Sequence, residues 1–298
     1  MEEEVYVSPN LEDLKYKAPR AWYERLDTWF LSQGFHKSLT KHTLYKKSNK
    51  QFETLLVCVY VDDLICLGSA IEAVDQFKEA MKKEFDITYL GVMKYFLGLE
   101  VHQSGNGIHV SQKKYAKDLL RQFGMQNCKS VGVPMAQSTK LQLSDDAKSV
   151  DATMYRSLIG KLLYLTHTMP DLVYSVNLLS RHMAQPTKFQ LGVAKHVLRY
   201  VAGTYDYGIQ YNSNVDCVLE GYCDSDWSGD TQDRKSTSSF VLSLGFGAVC
   251  WSSKRQEIVA LSSIEAEYIA LNATCYHSIW MEKILVDCNV NCDAAVQI

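Results

Sequence analysis

The chain has 298 residues, with 31 Lys+Arg against 34 Asp+Glu and a formal net charge of −3. Its 47% hydrophobic and 22% charged content excludes a disordered or collagen-like chain and suits a globular protein of about two domains. Without a basic excess, any nucleic-acid surface is confined to local clusters: Lys46-Lys47, Lys82-Lys83, Lys113-Lys114 with Lys117 and Arg121, or Arg234-Lys235. Nine scattered cysteines form no disulfide framework and read as reduced thiols, which points to an intracellular protein. The group Cys275, His277, Cys288 and Cys292 matches no zinc spacing. There is no apolar run of about 18 residues and no leader, so no membrane segment is expected.

Trp22, Leu26, Trp29 and Phe30 recur at helical spacing between Pro19 and Gly34, so a helix starts near Pro19 and Gly34 caps it. The segment Thr54–Leu67 is almost wholly apolar or β-branched, interrupted by Tyr60-Val61-Asp62-Asp63. It reads as two strands joined at an acidic tip, because carboxylates in the middle of a buried strand would be costly. Two hard oxygen donors at such a tip suit Mg²⁺, although an Asp-Asp pair also makes an ordinary turn.

Ile71–Phe85 reads as a helix with Ile71, Val74, Phe77, Met81 and Phe85 on one face. Tyr95–His102 and Ile108–Val110 flank Gly105-Asn106-Gly107, a hairpin signal. Ser111–Phe123 reads as a helix with Ser111 as N-cap and Tyr115, Leu119 and Phe123 inward. Ser130–Asp151 reads as a linker. Tyr155–Tyr211 reads as helical, in three helices separated by Pro170 and Pro186, the third ending at Gly203-Thr204. The period then changes to strands at Val218–Tyr222, Ser239–Leu244, Ala248–Trp251 and Ile258–Leu261, followed by a helix from Ile264 to about Val286. Ser262 and Glu265 fit a helix capping box. Asp224 and Asp226 fit a loop turn, and Trp227 fits packing better than base stacking.

Several blocks together resemble one family. Ala18-Pro19-Arg20-Ala21-Trp22-Tyr23, Tyr60-Val61-Asp62-Asp63, Tyr95-Phe96-Leu97-Gly98-Leu99-Glu100-Val101, and Tyr155–Gly160 through Arg199–Thr204 resemble the reverse transcriptase of Ty1/copia-type retrotransposon Pol polyproteins. Asp224-Ser225-Asp226-Trp227-Ser228-Gly229-Asp230, Arg234–Ser238 and Ala260–Tyr268 are similar to that family's RNase H. The resemblance implies an α+β to α/β chain. Residues 1–110 would be a partial fingers and right-hand palm, 111–150 a thumb helix and linker, 151–212 a helical thumb and connection, and 213–298 an incomplete RNase H-like α/β domain.

The resemblance also implies chemistry: RNA-directed DNA synthesis and hybrid cleavage with Mg²⁺ or Mn²⁺, on an RNA or DNA template–primer, a deoxynucleoside triphosphate and an RNA–DNA hybrid. By position, Asp62 matches the palm's metal aspartate and Asp63 its neighbour, while Asp224 and Glu265 match the RNase H carboxylates. Tyr60 would lie by the primer terminus. Tyr95, Phe96, Leu97 and Gly98 would belong to the hairpin that grips the primer, and Lys113, Lys114, Lys117 and Arg121 would meet phosphates.

The family's palm takes a further aspartate from a strand upstream of Glu3-Glu4-Val5-Tyr6, and its RNase H takes one beyond the last helix; neither is in this sequence. The resemblance therefore implies a fragment inactive on its own. The alternatives are a non-catalytic template–primer binding module or a relic of a transposable element. The missing upstream strand would also leave one side of the Asp62-Asp63 hairpin bare, an edge open to self-association.

Overall fold

The computed structural model describes residues 3–9, 19–48, 54–136, 139, 141, 148–230, 233–290 and 296–298. They form an α+β chain of two compact units, residues 1–94 with 280–291, and residues 95–279 with 292–298.

The first unit is built on an antiparallel sheet of order β2-β3-β4-β5-β1-β6. Its strands are β1 (Glu3–Pro9), β2 (His36–Lys37), β3 (Leu44–Ser48), β4 (Thr54–Tyr60), β5 (Asp63–Gly68) and β6 (Ile87–Val92). Helices α1 (Pro19–Ser32) and α2 (Ile71–Glu84) supply the apolar stripes that cover it. Trp22, Leu26 and Phe30 at i, i+4 and i+8 bury against Tyr45, Val57, Val59, Leu64, Val74, Phe77 and Met81. The Phe30 ring stacks on Tyr45 at 4.5 Å. Truncating such a residue costs about 3–5 kcal/mol.

Gly34 ends α1 as expected. At φ +80° it lets Phe35 N–H reach Phe30 O (3.0 Å) and its own N–H reach Leu31 O (3.1 Å). The Phe30 and Phe35 rings then meet edge-on at 5.2 Å, the apolar contact that accompanies this cap. Ile71 departs from the expected inward face, being 45% exposed at the first position of α2. The expected bare edge beside the acidic hairpin is also corrected. β1 pairs with β5 from Glu3↔Gly68 to Val7↔Leu64, and then with β6. Backbone donors and acceptors on that side are therefore taken.

The second unit holds a sheet of order β10-β9-β8-β7 and a three-stranded sheet β11-β12-β13. The strands are β7 (Tyr95–Phe96), β8 (Leu99–Ser104), β9 (Gly107–Ser111), β10 (Gly208–Asn212), β11 (Leu219–Ser225), β12 (Thr237–Leu244) and β13 (Gly247–Arg255). The helices are α3 (Lys113–Gln122), α4 (Ala152–Leu165), α5 (Val173–Ser180), α6 (Lys188–Thr204) and α7 (Ser263–Asp287), with a 3-10 turn at Pro170–Leu172. The last residues of α7 group with the first unit. Leu119, Leu120, Tyr155, Leu158, Leu162, Val176, Leu179, Val197 and Val201 form the helical core. The described part of Ser130–Asp151 has no helix or strand beyond a bridge from Ser149 to Thr187.

Four local expectations change here. Tyr95–His102 is not one run: Leu97 (φ +49°) and Gly98 (φ +77°) fold it into a tight β7–β8 hairpin. Ser111 is the last residue of β9 rather than the N-cap, a position taken by Gln112 without a side-chain cap. The helical reading through Tyr211 fails after Thr204, because Gly208–Asn212 pairs with β9. Ile258–Leu261 is no strand: Ile258, Val259 and Leu261 are exposed. Their backbone is held by side chains instead, with Trp227 Nε1 donating to Ala260 O (3.2 Å) and Leu261 N–H to Glu265 Oε2 (2.6 Å). Among the described residues no helix is long and apolar enough to cross a membrane.

Candidate nucleic-acid and metal sites

In the first unit, β4 and β5 close on Tyr60↔Asp63, so Val61-Asp62 is a two-residue turn. Leu55, Val57, Val59, Leu64 and Cys66 bury the strands and fix the register by alternation. That register brings Asp62 and Asp63 together at the tip, both half-buried, with Tyr60 49% and Val61 63% exposed. Val61 sits at φ +55°, a left-handed conformation that a β-branched residue rarely adopts. Such strain costs about 1–3 kcal/mol and is found where surrounding structure over-determines a turn. Two adjacent carboxylates are hard oxygen donors, and as a donor set they fit Mg²⁺ or Mn²⁺.

In the second unit, Tyr95 is 60% and Leu97 43% exposed at the β7–β8 hairpin, with Phe96 half-buried. Tyr164 of α4 donates its hydroxyl to Leu97 O at 2.5 Å, and its oxygen lies where a Cβ on Gly98 would sit. The residue at Gly98 is thus restricted by both φ and space.

Helix α3 buries Ala116, Leu119 and Leu120 and leaves Lys113, Lys114, Lys117 and Arg121 on its outer face. Lys113 and Lys117 both lie over the Tyr205 ring, with Nζ at 5.8 and 4.9 Å from its centroid. Arg121 is partly neutralised by Asp118 at 2.6 Å. Glu100 accepts from Lys114 N–H at 2.6 Å at the start of the helix. The four cations therefore share a face but not a state, and Lys114 has the least engaged side chain among them.

Asp224 and Glu265 lie in the same unit, the first on β11 and the second in the first turn of α7. Along β11, Cys223 faces Phe240, whose ring is 4.6 Å from His277 of α7. The next residue, Asp224, lines a cavity of about 270 Å³ together with Cys223, Phe240, Tyr174, Tyr222 and Trp251. Burial, then Asp226 and Asp224, raise the Tyr174 hydroxyl above its ordinary pKa, with Arg181 opposing. Glu265 closes the helix cap: its N–H donates to Ser262 Oγ at 3.1 Å while its carboxylate takes Leu261 N–H. Asp226 Oδ1 accepts from Thr237 N–H at 2.5 Å. Arg181 Nη2 donates to Thr237 Oγ1 at 2.9 Å and Nη1 stands 3.7 Å from Asp230. Trp227 is 54% exposed, so its anchored indole keeps a free face. Among the described residues no three His, Cys, Asp or Glu side chains converge as a ready-made metal cage.

Tyr164, Tyr205, Tyr174 and Arg181 were not legible as site residues. The spacing that could point to them lies across elements, and no local motif marks them.

Residues 8–137 match the family model described as reverse transcriptase (RNA-dependent DNA polymerase), a segment that contains the acidic hairpin and α3. The retrovirus-related Pol polyprotein from transposon RE2 of Arabidopsis thaliana is 38% identical over 92% of this chain and 19% of its own length. That from transposon TNT 1-94 of Nicotiana tabacum is 32% identical over 94% of this chain and 22% of its own length. A putative transposon Ty5-1 protein of Saccharomyces cerevisiae is 32% identical over 87% of this chain and 84% of its own length. The chain spans about a fifth of the length of the Pol polyproteins that it matches. With the hairpin inside the matched segment and such relatives along most of its length, the chain belongs to the Ty1/copia-type retrotransposon Pol family, in its reverse transcriptase region.

Proposed function

We propose that the first unit is the palm part of an RNA-directed DNA polymerase, with Asp62 and Asp63 as its metal-binding carboxylates. The observation that carries this is the strained Val61-Asp62 turn, which sets two adjacent, half-buried carboxylates at the tip of a buried hairpin. A divalent ion held there supplies charge neutralisation for phosphoryl transfer. The chain's own residues orient it: the buried faces of β4 and β5 hold the register, and half-exposed Tyr60 beside the turn would lie by a primer terminus. Primer extension on an RNA template with Mg²⁺ or Mn²⁺ tests this, comparing the chain with Asp62→Asn. Incorporation that is lost in Asp62→Asn supports the reading, whereas incorporation that survives overturns it. If the chain alone is inactive, Mg²⁺ binding that disappears in the Asp62→Asn, Asp63→Asn double variant still supports it.

The same reading takes residues 213–298 as RNase H-like, with Asp224 and Glu265 as carboxylates acting on an RNA–DNA hybrid. For Glu265 this requires its carboxylate to leave Leu261 N–H. Hybrid cleavage that is equal with and without Asp224→Asn would remove this half of the reading.

A second reading, template–primer binding without catalysis, is favoured by the outward cations of α3 beside the exposed β7–β8 hairpin. Binding through Lys113, Lys114, Lys117 and Arg121 would weaken steeply with salt. Affinity that is flat between low and physiological salt would exclude it.

A further inference from the structure

The four-stranded sheet of the second unit sets two histidines side by side. His102 of β8 is directly opposite His109 of β9, and Gln210 of β10 continues the row. The two-residue turn at Gly105-Asn106 fixes that register, because Ser104 pairs with Gly107 at its base. The row faces solvent. Val101 and Ile209, of opposite parity, are buried on the other face, while His102 is exposed and His109 half-buried. Directly opposite residues hold their Cβ atoms about 5 Å apart, close enough for two imidazoles to reach one ion.

Neither ring has a hydrogen bond or ion pair with the described residues, so both keep their ring nitrogens for a ligand. The ring of His109 lies over Gly208, where an added Cβ would come within 2.9 Å of its Nε2. The bare backbone of Gly208 is thus what gives this ring room. Turning it toward His102 is a change of side-chain rotamer on an open face.

We propose that His102 and His109 form a two-imidazole site for a borderline divalent transition ion such as Zn²⁺, Ni²⁺ or Cu²⁺, with water or an outside ligand completing the shell. Imidazole nitrogen prefers these ions, whereas Mg²⁺ prefers oxygen. The bound ion clips β8 to β9 across their ladder and stabilises the hairpin by mass action. Protons compete for the same nitrogens, so the site weakens in acid. It shares no residue, unit or metal class with Asp62 and Asp63, so it stands or falls apart from the polymerase reading.

The test is a Zn²⁺ titration of the whole chain, following histidine ring resonances by NMR and heat by calorimetry. The expected result is that the His102 and His109 rings shift together and saturably, and that Mg²⁺ moves neither. His102→Gln and His109→Gln should each weaken this event by about tenfold or more, since even outer partners of a metal ligand act on that scale. Both positions face solvent, and unmoved resonances of the other histidines report that each variant is folded. If both variants bind Zn²⁺ as tightly as the parent chain, the ion sits on thiols and the proposal is wrong. Rings that stay unshifted at saturating Zn²⁺ overturn it equally.

Discussion

Tyr164 hydrogen-bonds the carbonyl of Leu97 at 2.5 Å, joining a helix to a turn 67 residues away in sequence. The Leu97-Gly98 turn needs two successive left-handed residues, which only Gly adopts freely. The Tyr164 contact is what holds the less willing of the two. Tyr164→Phe should cost about 0.5–1.5 kcal/mol, the net value of one such bond. Gly98→Ala should cost more, because φ is positive and the space is taken by Tyr164. Faster amide exchange in β7 and β8 than in the helical core would register both. An unchanged rate in Gly98→Ala would refute the account.

Val61 holds a left-handed φ of +55° at the tip of the acidic hairpin. Asn tolerates that conformation far better than Val, through its short polar side chain. Val61→Asn should therefore stabilise the β4–β5 hairpin by about 1 kcal/mol, the lower end of the strain range. The measurement is amide protection in β4 and β5. Reduced protection would mean that Val61 gains more from packing than it loses to strain.

Asp27 accepts hydrogen bonds from Lys37 (2.8 Å) and Tyr45 (2.5 Å) in the first unit. Burial acts against the charged form of Asp27, but these bonds outweigh it and its pKa is lowered. A depressed carboxylate stabilises the fold above its unfolded value, near ~3.9, and loses that contribution as pH falls through its folded value. At Lys37 burial again opposes charge, yet Asp27 and Tyr23 raise its pKa. Its contribution is full below ~10.4 and is lost as pH rises through the raised value. Asp27→Asn should flatten stability against pH at both ends. Parallel curves for the two proteins below pH ~4 would contradict the linkage.

Glu265 caps α7 through Leu261 N–H, so its stability role and its proposed metal role are separable. Glu265→Gln keeps an acceptor oxygen and should change stability little, while Glu265→Ala and Ser262→Ala should each cost about 1 kcal/mol. Thermal unfolding of the three variants checks this. A large loss in Glu265→Gln would show that the charge, not the cap, stabilises the helix start.

Short-range pattern alone determined much of this protein. The helical stripe of Trp22, Leu26 and Phe30, the Gly34 cap, the hairpin that puts Asp62 and Asp63 at its tip, and the Ser262–Glu265 cap each act over a few residues. So did the family resemblance, which rests on strings read in order. Tertiary structure alone decided the rest. β1 fills the edge beside the acidic hairpin, and β10 is a strand only because β9 offers a register to Gly208–Asn212. Tyr205 lies beneath Lys113 and Lys117, Arg181 reaches Thr237 56 residues away, and Asp224 shares a cavity with Tyr174 and Trp251. These are pairings between distant positions, chosen by which faces are left to bury once the local elements have formed. A strand of five residues such as β10 carries too few alternations to announce itself without its partner.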